Sequence, residues 1–236
     1  MLGLTFTNTF DDRQPVAKEN KAERGVTVKT ICIPLPSNEK NEEPVHGNRQ
    51  ISSRAKKRLK KFPMVKSKVE SIIVLSSGDD GAGYNCLDNI PRDRYESLWG
   101  GNVGNLAVCK CDENGKLCTE PMAFIGILIS GPSVRSWCIV LGRRHNTKEK
   151  VEAKLKLLKN QVTLKKHSMG FMFACYARGE NMFGEDNVES TIFKKLFPEV
   201  PLIGSSGDGE FGDGTIERIE RRSHQYSTVF MIVTYG

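Results

Sequence analysis

The pattern of apolar and polar positions predicts a chain built mainly of β-strands. Short runs rich in β-branched residues, with apolar residues at every second position, are typical of strands. Two such runs, LGLTF and VTVKTICI, lie on either side of a polar stretch from Asn8 to Gly25 and favour a hairpin with a long loop. Because LGLTF starts at the second residue, we expect the fold to be incomplete at its N-terminus.

More strands are predicted beyond residue 68. Gly131 and Pro132 stand between two of them and indicate a hairpin, DDGAG predicts a turn, and Pro91 favours a short helix over NIPRDRYESLW. The last run is expected to be buried or to close the sheet. The strand-like runs are VESIIVLSSG, NVGNLAVC, MAFIGILISG, SVRSWCIVLG, Ser168 to Cys175, VPLIG and YSTVFMIVTYG.

Two amphipathic helices are predicted between these strands. Asn146 and Glu149 form a capping box at the start of the first, and Asp186 and Glu189 are expected to cap the second. Pro198 and Pro201 end the second helix. The core-facing positions are Val151, Leu155, Leu158 and Val162 in the first helix, and Val188, Ile192, Phe193 and Leu196 in the second. The first helix also carries a lysine-rich face, which is expected to be solvated: Lys148, Lys150, Lys154, Lys156 and Lys159.

Strands that follow one another directly, together with strands that alternate with helices, predict an α+β fold. We expect a mixed, largely antiparallel sheet with helices packed on one face. Residues 34–68 are poor in large apolar side chains and rich in Pro, Asn, Glu, Ser, Lys and Arg, which predicts a basic low-complexity insertion or linker. N-terminal strands over 1–33 and a main domain over 69–236 flank it.

The positive charge of the chain is concentrated in one segment. The chain has 35 basic and 28 acidic residues, and eight of the basic ones lie between Arg54 and Lys68, where there is no acid. The segment RAKKRLKK is interpreted first as a solvated linker and second as a nuclear-import signal. It lacks an aromatic platform or a helix-turn-helix pattern, so no specific nucleic-acid binding is expected.

Composition and cysteine content restrict the class of protein. A chain of 236 residues with 38% hydrophobic residues can bury a sizeable core without a metal or disulfide. No apolar run is long enough to span a bilayer, so no membrane partner is expected. Seven cysteines, an odd number, several of them inside apolar runs, predict reduced thiols and a cytoplasmic or nuclear location.

No metal or cofactor is expected. Cys109, Cys111 and Cys118 lack the usual zinc spacing and a fourth ligand, and DENG between them favours a hairpin. Gly207, Gly209 and Gly212 match the letters of a dinucleotide fingerprint, but no helix is predicted directly after them and the required acid is absent. These glycines are interpreted as turns of a bulged hairpin, with close approach of a ligand to the backbone left open.

Cys175, Arg178 and Gly179 stand where a strand ends, a common position for sites on open sheets. A neighbouring guanidinium would lower the pKa of the thiol and produce a reactive cysteine, as in a thiol-dependent enzyme. The alternative, which we favour, is that Cys175 ends a core strand and Arg178 is a surface anchor, because no histidine stands nearby in the sequence to act as a base.

The stretch from Gly170 to Gly214 resembles the C-terminal FIST domain (F-box and intracellular signal transduction). Matching elements occur in the same order and spacing over about forty residues. Weaker similarity extends upstream through VESIIVLSSG, GGNVGNL and AFIGILISGPSVRSWCIVLG, while residues 34–68 have no counterpart. The matching elements are GFMFAC, Arg178-Gly179, Asn187-Val188-Glu189, FKKLFP, VPLIG and Gly207-x-Gly209-Glu210-x-Gly212.

The resemblance implies a FIST-like fold and a non-catalytic, substrate-recognition function in ubiquitin-dependent proteasomal degradation. In F-box members of the family, the F-box binds the Skp adaptor of a cullin-type ligase and the FIST region recruits the protein to be ubiquitinated. This chain shows no F-box and lacks the N-terminal half of the FIST region, so a Skp adaptor is expected only if the full-length protein carries an F-box.

Bacterial FIST domains resemble sensory modules for small, amino-acid-like ligands, which implies the alternative function of a small-ligand sensor in intracellular signalling. The residues expected to bind a ligand or protein partner are Cys175, Arg178, Gly179, Asn187, Glu189, Gly207, Gly209, Glu210 and Gly212.

Overall fold

The computed structural model describes residues 16–21, 26–34, 68–77, 87, 90–111, 117–217 and 219–236. The predictions for LGLTF, for the DDGAG and DENG turns and for nearly all of the basic segment lie outside these residues. Within them, no helix is long and apolar enough to cross a membrane.

The described residues form twelve strands and three α-helices. In chain order, the elements are β1 (Val16–Lys21), β2 (Thr27–Pro34), β3 (Val69–Ser77), β4 (Tyr95–Val103), β5 (Ala107–Cys111), β6 (Leu117–Ser130), β7 (Arg135–Leu141), α1 (Lys148–Gln161), β8 (His167–Cys175), α2 (Glu180–Phe183), α3 (Val188–Leu196), β9 (Leu202–Gly207), β10 (Glu210–Asp213), β11 (Ser223–His224) and β12 (Thr228–Tyr235).

The strands form two sheets. The large sheet has the order β1-β2-β6-β3-β4-β10-β11, with β5 paired to β6, and the small sheet has the order β7-β12-β8-β9. Only the β3–β4 and β8–β9 pairs are parallel among the described strands. The predicted α+β class with largely antiparallel strands is confirmed, but two sheets replace the single sheet that was expected.

The two sheets pack face to face, and the helices cover the outer face of the small sheet. Between the sheets, Trp99 of β4 packs against Phe173 of β8, with ring centroids 5.8 Å apart. On the other face of the small sheet, Phe193 of α3 stacks on Phe230 of β12 at 5.3 Å. Burial of both faces explains why β12 is a nearly continuous apolar run.

Several predicted elements are confirmed. β3, β6, β7, β8, β9 and β12 form where strand patterns occur, and the expected apolar residues of α1 and α3 face the core. β5 and β6 pair antiparallel through Cys109↔Thr119 and Lys110↔Cys118, so the three cysteines do flank a hairpin. Lys154 is an exception on the lysine-rich face, because its ammonium group is buried and contacts Glu217 at 2.5 Å.

Three local predictions are wrong. Gly131 and Pro132 turn the chain, but β6 and β7 belong to different sheets and do not form a hairpin. Among the described residues of NIPRDRYESLW, 90–99, only 92–94 are helical, as a 3-10 turn, because Tyr95 onward pairs with β3. The stretch predicted to be a polar loop contains a strand, β1, which pairs with β2. A polar strand is common at the edge of a sheet.

Both predicted capping boxes are also wrong. Thr147, not Asn146, is the N-cap of α1, and its hydroxyl accepts a hydrogen bond from the Lys150 amide at 3.4 Å. Asn187 precedes α3 with a left-handed φ of 60° and makes no side-chain cap bond. Glu189 does not cap α3, because its carboxylate is bound inside the protein.

Candidate functional site

The candidate site is the edge of the small sheet where β7, β8 and β9 end and β12 begins. The register pairs Cys175 with Gly207 and Thr228 with Leu141, so these strand ends are level. The loops at 142–147, 176–187 and 225–227 therefore converge there. Asn102 of the large sheet joins them through backbone hydrogen bonds with Gly209 and Asp208. We call this region the strand-end edge.

Arg178 ties the loops of the strand-end edge together. Its guanidinium donates to three backbone carbonyls: Gly142 at 3.4 Å, His145 at 2.8 Å and Tyr226 at 3.0 Å. Its Nε lies 3.1 Å from both carboxylate oxygens of Glu189, and its Nη2 donates to Glu189 Oε1 at 2.6 Å. These contacts use all five N–H donors of the side chain, which is only 1% exposed. Arg178 therefore positions loops, and it has no donor left for a ligand.

Glu189 completes this buried group. Its Oε2 accepts a hydrogen bond from the Thr228 hydroxyl at 2.6 Å. The carboxylate thus connects Arg178, on the loop after β8, with Thr228 at the start of β12. Because the pair with Arg178 is buried and fully hydrogen-bonded, it fixes the positions of the surrounding loops and leaves little net charge.

Cys175 and Glu210 form a second polar group beside it. Glu210 is fully buried, and its Oε2 accepts hydrogen bonds from the Ser227 amide at 3.1 Å and hydroxyl at 2.7 Å. Its Oε1 has no hydrogen-bond partner among the described residues. The carboxylate lies beside the Cys175 thiol, and burial raises the pKa of both groups.

This arrangement is the opposite of an activated thiolate. The guanidinium of Arg178, which the sequence suggested as an activator of Cys175, is bound to Glu189 instead. Burial raises the pKa of the Cys175 thiol, and the nearby negative charge of Glu210 raises it further. The hypothesis of a nucleophilic Cys175 therefore loses its physical basis.

Two clefts open at the strand-end edge, one on each side of Cys175 and Tyr176. The first, which we call the helix cleft, has a volume of about 550 Å³ and lies between β8, β9 and the start of α3. The second, the tyrosine cleft, has a volume of about 570 Å³ and is lined by Asn102, Asp208 and Tyr226 among others. Both have the size of a small-molecule or peptide side-chain site.

The structure brings most of the predicted site residues together. Cys175, Arg178, Gly179, Asn187 and Glu189 line the helix cleft, and Gly209 lines the tyrosine cleft. Glu210 and Gly207 are buried close behind them. Gly212 is apart from the edge, since it pairs with Trp99 inside the large sheet. Arg178 and Glu210 do not face solvent. Arg178 can only shape the site, because all of its donors are used, whereas Glu210 keeps one oxygen without a partner among the described residues.

The glycines do not form a nucleotide fingerprint, because Gly212 lies inside strand β10 and no helix follows it among the described residues. The predicted bulged hairpin is wrong, however, since β9 and β10 lie in different sheets. Gly207 is needed where the chain crosses between them: a Cβ there would lie 1.9 Å from the Asn102 carbonyl oxygen. Close approach of two backbones is the reason for glycine at this position.

The sequence did not identify the exposed aromatic residues of the edge. Tyr176 is 56% exposed and Tyr226 is 45% exposed. The guanidinium carbon of Arg143 lies 5.2 Å from the Tyr226 ring centroid. Tyr176 directly follows Cys175 at the end of a strand, and this position could have indicated that Tyr176 belongs to the site. The positive φ of Tyr226, 53°, could not be predicted from its neighbours in the sequence.

Replacement of Glu210 by glutamine is expected to stabilise the protein at neutral pH. The pKa of Glu210 is raised in the folded state, so the folded protein binds its proton more tightly than the unfolded chain does. The stability that Glu210 contributes is therefore present at acid pH and falls as the pH rises through the raised pKa. Glutamine carries no charge and removes this loss.

Urea unfolding of both proteins at several pH values checks this prediction. The advantage of Glu210→Gln should be largest near pH 7 and should disappear toward the ordinary pKa of glutamate, about 4.3. A constant difference between the two proteins at all pH values would contradict it.

Among the described residues, no group of three or more His, Cys, Asp and Glu side chains is arranged to hold a metal ion. Both clefts have mixed polar and apolar walls, which suits the binding of groups that carry both hydrogen-bonding and apolar parts.

Comparison with known proteins shows similarity to F-box proteins. The chain is 34% identical over 152 residues to F-box only protein 22 of Homo sapiens. The aligned region covers 59% of this chain and 38% of that protein. F-box only protein 22 of Pongo abelii matches to the same extent. An F-box/LRR-repeat protein of Arabidopsis thaliana is 36% identical over 94 residues, or 36% of this chain and 18% of that protein. No model of a known protein family matches the chain.

Proposed function

We propose that this chain is a non-catalytic substrate-recognition module of an F-box-type ubiquitin-ligase receptor, acting in ubiquitin-dependent proteasomal degradation. The observation that carries the proposal is its similarity to F-box proteins from animals and a plant. The chain spans about 38% of the length of its animal relatives. In this proposal, residues 69–236 form a FIST-type domain, and a Skp adaptor joins only if the full-length protein has an F-box.

The geometry of the strand-end edge supports recognition of a protein. Exposed Tyr176 and Tyr226 stand on loops that the buried Arg178 holds in place. Aromatic side chains that protrude from a preorganised backbone are favoured at protein interfaces, because they bury a large area at a small cost in conformational entropy. The raised pKa of the Cys175 thiol also favours binding over chemistry at this edge.

A fusion experiment tests the proposal. The chain would be joined to an F-box module of known activity and expressed in cells, with protein abundances measured with and without a cullin-ligase inhibitor. We expect a defined set of proteins to decrease in an inhibitor-sensitive manner. A fusion carrying Tyr176→Ala is the matched control, because this exposed side chain contributes little to folding.

The control fusion should spare the affected proteins at equal expression. If neither fusion lowers the abundance of any protein in an inhibitor-sensitive manner, the proposed function is wrong. If both fusions lower the same proteins equally, recognition does not use the strand-end edge.

A small-ligand sensor is the second candidate function. The unpartnered Oε1 of buried Glu210 favours it, because a buried acceptor without a partner is costly and is satisfied when a donor binds nearby. Cys175, beside Glu210, lines both clefts. A ligand with an amino group, such as an amino acid, has the required donors.

Thermal shift against a panel of amino acids and other amines tests this candidate. A ligand present at 100 times its Kd would stabilise the protein by about 2.7 kcal/mol. The same panel on Glu210→Gln should give a smaller shift, since the amide attracts a cation less strongly. A flat response of the unaltered protein across the panel would exclude an amine sensor.

A further inference from the structure

Strand β9 forms an open edge of the small sheet. It pairs with β8 on one side, and no other described strand pairs with it. The Gly170 amide donates to the Pro201 carbonyl and the Tyr176 amide to the Gly207 carbonyl, so every second residue of β9 faces β8. The alternate residues Leu202, Gly204 and Ser206 therefore direct their backbone N–H and C=O groups away from the sheet.

The edges at β7, β1 and β11 are protected. At the outer edge of β7, the Ser136 amide donates to Glu70 Oε1 at 3.0 Å and the Cys138 amide to Thr215 Oγ1 at 3.4 Å. β1 carries three charged residues in its sequence VAKENK, and β11 is only two residues long. Side-chain caps, charges and short strands are the usual means of preventing pairing with another chain.

The described residues give β9 none of these protections. Its sequence LIGSSG contains no charge and no proline, its register with β8 runs without a bulge, and most of the strand is exposed. Ile203 is 41% exposed on the face opposite the helices. An uncharged, regular and exposed edge with an apolar side chain is the arrangement that accepts an added strand.

The helix cleft lies directly beside this edge. Leu202, Gly204 and Ser206 line it together with Met172 and Ala174 of β8. Alternate side chains of a strand added to β9 would enter the cleft, while the others would cover Ile203. Gly204 and Ser206 are small and leave room for these side chains.

The charges around the cleft indicate the chemistry of the occupant. Asp186 lines the cleft and Asp208 follows β9; both are exposed, and neither has an ion-pair partner within the described part of the chain. The cation in the cleft wall, Arg178, is already paired with Glu189. The uncompensated charge near the edge is therefore negative, and a basic segment complements it.

We propose that β9 binds an extended segment of the recruited protein by strand addition, with apolar side chains in the helix cleft and a lysine or arginine near Asp186. This inference rests on the proposed function, because it names the kind of segment through which the chain recognises its substrate. The backbone of β9 supplies affinity, and the cleft with its acid supplies selectivity.

Two variants of one residue separate strand addition from other modes of binding. Gly204→Pro removes an outward-facing N–H and places a ring at the open edge, whereas Gly204→Ala keeps the N–H. A Cβ at Gly204 meets only the carbonyl oxygen and Cβ of Met172, at 3.6 and 3.7 Å, so alanine at this position is not crowded by its neighbours. Thermal unfolding of both variants would check that they fold.

The probe is a displayed library of random short peptides, selected on the intact chain. We expect enriched peptides to have apolar residues at alternate positions and at least one lysine or arginine. Their affinity should fall by about tenfold or more for Gly204→Pro, the equivalent of one lost hydrogen bond and a steric clash. It should fall less for Gly204→Ala, which takes up some room in the cleft but keeps the backbone N–H. Asp186→Asn should weaken binding of the basic peptides.

The inference is overturned if no peptide is enriched, or if the enriched peptides bind Gly204→Pro as tightly as the unaltered chain. It is also overturned if the chain alone sediments as a dimer that Gly204→Pro dissociates, because the occupant would then be a second copy. The proposed function is tested separately. If the fusion still lowers the abundance of its target proteins after Gly204→Pro, the proposed function stands and strand addition is wrong. If peptides bind as expected but the fusion lowers the abundance of no protein, strand addition stands and the proposed function is wrong.

Discussion

Replacement of Arg178 by methionine is expected to destabilise the protein by about 3–5 kcal/mol, the cost of leaving one member of a buried ion pair without its partner. Glu189 would keep its carboxylate in a buried position with only Thr228 as a donor. The carbonyls of Gly142, His145 and Tyr226 would lose their donor as well. The three loops of the strand-end edge should then separate.

Urea unfolding measures this effect, and the neighbouring Arg144→Met is the matched control. Arg144 is exposed on the 142–147 loop, which Arg178 contacts, so its replacement should change the free energy of unfolding by no more than about 0.5 kcal/mol. The double variant Arg178→Met with Glu189→Leu should be less destabilised than the sum of the two single variants, because no buried charge is left alone. Equal losses for Arg178→Met and Arg144→Met would show that Arg178 is not the centre of the edge.

Replacement of Gly207 by alanine is expected to destabilise the protein by about 1–3 kcal/mol or more, the cost of forcing an atom into a filled site. The added Cβ would lie 1.9 Å from the Asn102 carbonyl oxygen and 2.7 Å from Cζ of Phe173. Because the first of these atoms belongs to the backbone, no side-chain rotation relieves the contact. The crossing from the small to the large sheet would have to shift.

Gly204→Ala is the control for this prediction, since it makes the same change three residues earlier in the same strand. There the added Cβ makes ordinary contacts, and the loss of conformational freedom in the unfolded chain stabilises the protein by about 0.4–1 kcal/mol. Thermal unfolding should therefore give changes of opposite sign for the two variants. A destabilisation of similar size in both would mean that β9 needs glycine for its conformation and not for the contact with Asn102.

Much of the candidate site was predictable from the sequence. Cys175 is the last residue of an apolar alternating run, and strand ends of a sheet gather at one edge. Gly179 and Gly209 have positive φ values of 87° and 95°, as expected of glycines in turns. Gly212 was wrongly grouped with them. It lies inside the large sheet, where glycine is needed because Val140 and Val229 pack against it.

The role of Glu189 was not predictable from its neighbours. Its place three residues after Asp186 fits a capping box, and its charge suits the first turn of a helix. In the structure its partners are Arg178 and Thr228, which are 11 and 39 residues away. The same local sequence is compatible with an exposed helix cap and with a buried ion pair. Only the packing of β12 against β8 distinguishes these two roles.

The sequence by itself determined the α+β class, most of the strands, both long helices and the strand end at which the site lies, because alternation and helical spacing are local properties of neighbouring side chains. Only the tertiary structure decided that the strands form two sheets, that Gly131 and Pro132 join different sheets, and that β9 is left as an open edge. These features depend on which backbones pair across long separations in the chain. Arg178 shows the same limit, since its backbone partners at the edge lie 33 to 48 residues away.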